Sequence, residues 1–173
     1  MGVRAIRTEI FVNFVRAGGL KCKLILVMFL IKSGAIANLN SSEEGASYAV
    51  LIDAGSSGSR IHVFEIRSDS AQSEIPDLKL PPHKLKIEPG LSSFAEDPQS
   101  AGKSLEPLIS FAKSKVPERF WRETPIILAA TAGVRLLAPD TADQVMRSCL
   151  HTLRASPFKV DATPVRPSVG TNS

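Results

Sequence analysis

The segment Asp53-Ala54-Gly55-Ser56-Ser57-Gly58-Ser59-Arg60 puts an acid, two glycines, three serines and an arginine into eight residues. Glycines adopt backbone angles that other residues resist, so Gly55 and Gly58 allow a tight turn whose successive N–H groups aim at one anion. The hydroxyls of Ser56, Ser57 and Ser59 add donors. Asp53 alone would repel a phosphate. A divalent cation between them, reached through a bound water, lets the two anions share one ion. The same residues equally suit an ordinary serine- and glycine-rich hairpin turn with a surface acid. A second stretch, Ala130-Thr131-Ala132-Gly133-Val134-Arg135, follows an apolar run. Small residues at the carboxyl end of a strand permit close approach of a ligand to the backbone. Arg135 can reach a phosphate there, and Thr131 can hold the ion or its water. The plain alternative is a turn into a helix with a surface arginine.

The elements that must position these residues are legible. Tyr48–Asp53 (YAVLID) and Arg60–Ile66 (RIHVFEI) are apolar and rich in β-branched residues, which predicts a hairpin with the glycine/serine segment at its tip. Ser68–Pro89, with Pro76, Pro81, Pro82 and Pro89, reads as loop with one short strand over Lys84–Ile87. Asp97-Pro98 is a helix start, followed by Leu105, Leu108, Ile109, Ala112 and Val116 at helical spacing and ended by Pro117. Pro125–Thr131 (PIILAAT) is continuously apolar and predicts a strand buried on both faces. Asp140 is expected to cap a second helix with Ala142, Val145, Met146, Cys149, Leu150 and Leu153 on one stripe, closed by Pro157. This order of elements is an α/β layout.

With 43% apolar and 22% charged residues, the chain has an ordinary globular balance. Two cysteines, Cys22 and Cys149, make neither a disulfide scaffold nor a cysteine-rich zinc site. The net charge of +4 sits in residues 1–23, where Arg4, Arg7, Arg16, Lys21 and Lys23 face only Glu9. The rest is balanced, so nucleic acid is not an expected partner. Lys21 and Lys23 precede the apolar Leu24–Ile31, and Ala35-Ile36-Ala37 follows. Residues 1–37 therefore read as a signal peptide or a short signal anchor, with the secretory pathway (ER or Golgi lumen) or secretion as the compartment, and membrane anchoring if the segment stays uncleaved. Residues 38–47 read as a polar linker, in which Asn40-Ser41-Ser42 is a glycosylation sequon. Cys149 reads as a buried thiol, His62 as a strand residue and Trp121 as a packing anchor. His83 and His151 have no partners at ligand spacing.

The two motifs, in this order and separation, resemble the first two signature regions of the apyrase-type nucleoside tri- and diphosphatases. The likeness continues through Pro89-Gly90-Leu91-Ser92-Ser93-Phe94, Phe120-Trp121-Arg122-Glu123-Thr124-Pro125, Val134-Arg135-Leu136-Leu137 and Ala155-Ser156-Pro157-Phe158. It is nearest to the lumenal or secreted nucleoside-diphosphatase branch. The resemblance implies an actin-like, sugar-kinase-like ATPase fold, of which residues 48–160 would be the N-terminal part of the first lobe. It implies nucleoside di- and triphosphates as ligands, with Ca²⁺ or Mg²⁺. By position, Ser56, Ser57, Gly58, Ser59 and Arg60 would hold terminal phosphates and Asp53 would order the metal's water shell. Thr131, Ala132, Gly133 and Arg135 would form a second wall. The implied reaction is attack of water on the phosphoanhydride, with a glutamate as base.

That glutamate belongs, in the family, to a third signature beyond Ser156-Pro157-Phe158. No glutamate follows Glu123 here, and Asp161–Ser173 reads as a divergent tail. The expectation is an incomplete first lobe with the phosphate-binding hairpin but no base, and hence an impaired hydrolase. The alternative is a non-catalytic fragment, such as a variant isoform that binds nucleotide or a partner.

Overall fold

The computed structural model of the protein describes residues 46–67, 77–130 and 132–160. The segment read as a leader over 1–37, the Asn40 sequon, Thr131 and residues 161–173 lie outside the described residues.

Two nine-residue strands, β1 (Ala46–Ala54) and β2 (Ser59–Arg67), form the expected hairpin, each longer than the apolar runs suggest. Strand pairing runs from Ala46 opposite Arg67 to Ala54 opposite Ser59. The first two residues of β1 fall inside the stretch read as linker, because the antiparallel ladder draws the small residues Ala46 and Ser47 into register with Arg67 and Ile66. A third strand, β3 (Asp77–Ile87), pairs antiparallel with β2 at the sheet's edge. It contains the short strand expected over Lys84–Ile87 and extends it back to Asp77, through residues expected to be loop. Two features let it carry Pro81 and Pro82. An edge strand leaves one row of N–H groups unused, and the register shifts between Val63 and Glu65, where the prolines sit in a bulge.

The chain then passes a 3₁₀ turn at Leu91–Phe94 and reaches two helices, α1 (Ser100–Lys103) and α2 (Glu106–Lys115). The single helix expected after Asp97-Pro98 is thus broken at Ser104-Leu105. The break follows Gly102, which packs tightly on a later helix. There its N–H donates to Ser148 Oγ at 3.0 Å, and Ser148 Oγ donates to the Gln99 carbonyl at 2.6 Å. A Cβ on Gly102 would lie 2.4 Å from the Ser148 carbonyl oxygen, so only glycine permits this approach. Leu105, Leu108, Ile109, Ala112 and Val116 are all buried, as their spacing predicts.

Strand β4 (Pro125–Ala130) is buried at every residue and pairs parallel with β1. After it come one helical turn, α3 (Ala132–Arg135), and a long helix, α4 (Pro139–Ala155). Asp140 is not the cap of α4. Ala138 occupies that position and Pro139 the first turn, so the Asp140 carboxylate instead lies near the positive end of the helix dipole. Val145, Cys149 and Leu153 are buried, with Ala142 and Met146 packed beside them. Burial pushes the Cys149 thiol up to about 12. A two-residue strand, β5 (Lys159–Val160), pairs parallel with β4 and completes the sheet in the order β3-β2-β1-β4-β5.

The protein is therefore mixed α/β with a five-stranded sheet. Val50, Ile52, Ala54, Ile61, Val63, Ile126, Leu128 and Ala130 share one apolar cluster with the buried faces of α2 and α4. Among the described residues, no helix is long and apolar enough to cross a membrane.

Candidate functional site

β1 and β4 run parallel, and their register pairs Val50 with Ile126, Ile52 with Leu128 and Ala54 with Ala130. The two glycine-containing segments thus leave adjacent strands at the same carboxyl end. They are 70 residues apart in sequence at their closest, and the crossover through α1 and α2 brings them side by side. The carboxyl end of parallel strands is where α/β folds present backbone groups to ligands.

The hairpin tip is four residues, Gly55–Gly58, closed by Gly55 N–H donating to the Gly58 carbonyl at 2.9 Å. Ser56 and Ser57 are exposed at its crest. Gly58 is buried, and a Cβ there would lie 2.5 Å from the Ile87 carbonyl oxygen on β3. Its backbone is not in the left-handed region, so space rather than backbone angle demands glycine at this position. Ser59 points to the helix-covered face with Ala54. It is 1% exposed, and its hydroxyl has no hydrogen-bond partner among the described residues. The sheet register therefore divides the serines: Ser56 and Ser57 face outward at the tip, and Ser59 lies beneath it.

Asp53 and Arg60 stand directly opposite each other on β1 and β2, on the other face of the sheet from Ser59. Ala129 flanks Asp53 on β4 and Lys86 flanks Arg60 on β3. Asp53 is half-buried and Arg60 exposed. The alternation of strand residues made this pairing predictable in principle, but only once the hairpin register was known.

In the second loop, α3 carries Ala132, Gly133 and Arg135. Arg135 is half-buried, and its Nε is fully covered without a hydrogen-bond partner among the described residues. A buried guanidinium N–H left unpaired is costly, so the position of Arg135 is not explained by stability alone.

A third segment, Glu88–Phe94, joins the first two. The Glu88–Pro89 peptide is cis. The Lys86 ammonium, hydrogen-bonded to Glu88, holds that carboxyl below its usual range. The Leu91–Phe94 turn packs against α3, while Gly90 lies against the hairpin tip. The proline-glycine pair marks a turn in the sequence, but nothing in its pattern reveals what it touches.

The other residues singled out in the sequence stay away from this edge. His62 is a buried strand residue of β2, stacked on Phe64 with ring centroids 6.2 Å apart. Trp121 anchors the far end of the sheet, its Nε1 donating to the Val116 carbonyl at 2.8 Å. Among the described residues, no group of three or more His, Cys, Asp or Glu gathers as a metal-ligand set.

Comparison with known proteins bears on this site. The sequence profile of the GDA1/CD39 (nucleoside phosphatase) family matches residues 39–170. An apyrase of Solanum tuberosum is 46% identical over 113 residues, covering 65% of this chain and 24% of that protein. The nucleoside-diphosphatase uda-1 of Caenorhabditis elegans is 41% identical over 122 residues, 69% of this chain and 26% of its own. A guanosine-diphosphatase of Schizosaccharomyces pombe is 43% identical over 123 residues, 70% of this chain and 21% of its own. The chain thus spans about a quarter of the length of these curated relatives. Among solved structures, a Thermus thermophilus RuvC chain aligns with a TM-score of 0.33 and 13% identity, over 65% of this chain and 61% of that one, a likeness too low to bear on function.

Proposed function

Because the chain belongs to the GDA1/CD39 (nucleoside phosphatase) family, we propose that its paired loops form the phosphate-binding wall of a nucleoside di- or triphosphate hydrolase with an actin-like nucleotide-binding lobe. The observation that carries this reading is the parallel register that sets Ala54 beside Ala130, so that both loops open at one sheet edge. In this reading the exposed Ser56 and Ser57 hydroxyls and the amides of the tip donate to the terminal phosphates. Arg135 brings its half-buried guanidinium to the same group from the second loop, and Thr131, Ala132 and Gly133 complete that wall. Gly58 keeps the tip close to β3, Ser59 supports it from below, and Arg60 balances the charge of Asp53.

The donor set suits a hard divalent cation. One half-buried carboxylate, with water and phosphate oxygens for the remaining positions, is how Mg²⁺ is commonly held at phosphate sites, and Ca²⁺ accepts the same oxygens. Asp53 would hold the ion's water shell, and the ion when bound would neutralise charge on the phosphates. The chain's own part is to fix the phosphate, turn its scissile bond toward solvent water and offset its charge.

Activation of that water needs a base on the far side of the phosphate. A positioned general base contributes roughly 10²–10⁴-fold. Residues 124–173 hold no glutamate, so the 173-residue polypeptide assayed by itself binds nucleotide and releases phosphate slowly. Residues 1–37 direct it into the secretory pathway in this reading, and Asn40 receives a glycan; a glycosidase-sensitive mobility shift on expression checks that part.

The test is a titration of the chain with ADP, with and without Mg²⁺ or Ca²⁺, on the wild type and Ser57→Ala. Metal-dependent binding that weakens in Ser57→Ala is expected. Equal binding in a chelator, or an unaffected Ser57→Ala, would refute the reading.

A further inference from the structure

From the packing of Gly90 we infer that it is a positioning residue: the Pro89–Phe94 segment is a buttress that sets the height of the hairpin tip and locks it to the second loop. The inference rests on the phosphate-binding reading above and adds a residue that contacts no phosphate in it. A Cβ built on Gly90 would lie 2.3 Å from the Ser56 carbonyl oxygen, 2.5 Å from that of Gly55 and 2.6 Å from the Ser56 carbonyl carbon. All three are backbone atoms of the tip, so no side-chain rotation relieves the overlap. Real Cβ atoms are essentially never found this close to other heavy atoms, so the tip itself would have to move.

Backbone conformation does not explain the glycine. Gly90 has φ −73° and ψ 163°, extended angles open to any residue. Space against the tip is therefore the reason for the glycine. The segment is held from the other side as well. Ser93 N–H donates to the Gly90 carbonyl at 3.0 Å, closing the turn. Leu91 is fully buried in the same apolar cluster as Ala54, Ala130 and Val134, the residues that bracket the two loops. The Leu91–Phe94 turn in turn packs on α3, which carries Arg135. Gly90 thus presses on one loop while its neighbours seat the other, and a change at Gly90 is transmitted to the spacing between the Ser56/Ser57 donors and Arg135.

The experiment compares wild type, Gly90→Ala and Gly102→Ala as the 173-residue chain, using ADP with Mg²⁺ as probe and backbone amide NMR as the structural readout. Gly102→Ala is the control for simple destabilisation, since its clash lies between α1 and α4. In Gly90→Ala the free-protein amides of Gly55–Gly58 and of Val134-Arg135 should shift while those of Tyr48–Ile52 stay in place. Affinity for ADP–Mg²⁺ should fall by about tenfold or more, because an ångström of misplacement in a binding constellation is felt on that scale. Gly102→Ala should melt at lower temperature yet bind as wild type does when folded. Hairpin amides unmoved in Gly90→Ala, or affinity equal to wild type, would overturn the buttress even if the wild type binds normally. A wild type that does not bind ADP–Mg²⁺ would overturn the underlying reading instead, and the functional role of Gly90 with it. Should Gly90→Ala fail to fold, Ser93→Pro removes the N–H that closes the turn and leaves Gly90 itself unchanged. It should produce the same amide shifts and a smaller loss of affinity, and unchanged tip amides in a folded Ser93→Pro would overturn the proposal.

Discussion

At the amino end of β4, Thr124 donates its hydroxyl to the Phe120 carbonyl at 2.8 Å, and Lys159 N–H donates to the Thr124 carbonyl at 2.9 Å. Trp121 Nε1 is bonded to the Val116 carbonyl, and the rings of Trp121 and Phe158 pack 6.3 Å apart. At the carboxyl end of the same sheet, Arg135 Nε and Ser59 Oγ are buried without partners among the described residues, two serines stand exposed, and glycines replace side chains at Gly58 and Gly90. The first end has its polar groups satisfied and its space filled by aromatic rings. The second leaves buried polar groups unpaired and packs backbone so closely that Gly58 and Gly90 have no room for a side chain. Buried polar groups are normally paired, so the unpaired end is the one not built for stability alone. In the proposed reading, one end stores stability and the other binding capacity.

That division can be broken by experiment. The largest effect should come from Phe120→Ala at the closed end. Phe120 is buried against Tyr48, with ring centroids 5.3 Å apart, and its loss should cost about 3–5 kcal/mol of stability. Chemical denaturation would measure that, and nucleotide affinity of the remaining folded protein should not change. Arg135→Met reverses the pattern. Removing a charge-assisted hydrogen bond to phosphate should weaken ADP–Mg²⁺ binding by roughly 10–100-fold, while stability holds or rises because an unpaired buried N–H is removed. A large stability loss in Arg135→Met with unchanged affinity would erase the distinction between the ends.

Smaller effects sharpen it. Trp121→Phe loses the bond to Val116 and should cost about 1 kcal/mol in a melting experiment, with no effect on binding. Below pH 9 the smallest effect of all concerns Cys149, whose thiol burial raises from 9.0 to about 12. The folded state then holds its proton where the unfolded chain releases it. Cys149 therefore contributes full stability below about pH 9, and that contribution is lost as pH rises toward 12. Stability measured against pH should fall less steeply above pH 9 in Cys149→Ala than in wild type, and the two curves should run parallel below it.

Residue types and spacing were enough to locate the hairpin, the buried strand Pro125–Ala130 and the apolar stripes of α2 and α4, because each is a local period that burial enforces. They also singled out both loops, since serine, glycine and arginine at a strand end suggest an anion whatever lies around them. Most of β3 was not legible. Four prolines argue locally for a loop, and only pairing with β2 at an open edge, with a bulge to absorb Pro81-Pro82, makes a strand affordable there. Gly102 was likewise hidden, because its reason is a helix 46 residues further along the chain.

The sequence by itself determined which residues are candidates for the chemistry: Asp53, Ser56, Ser57 and Arg135 are recognisable from their types and neighbours. Tertiary structure alone decided how they divide. Alternation about the β1–β2 register turned Ser59 inward and set Asp53 opposite Arg60, and parallel pairing with β4 brought Arg135's loop beside the serine tip. It also gave Gly58 and Gly90 their meaning. A glycine required for space is defined by the atoms that press on it, Ile87 in one case and the hairpin tip in the other, and those lie far from it in sequence.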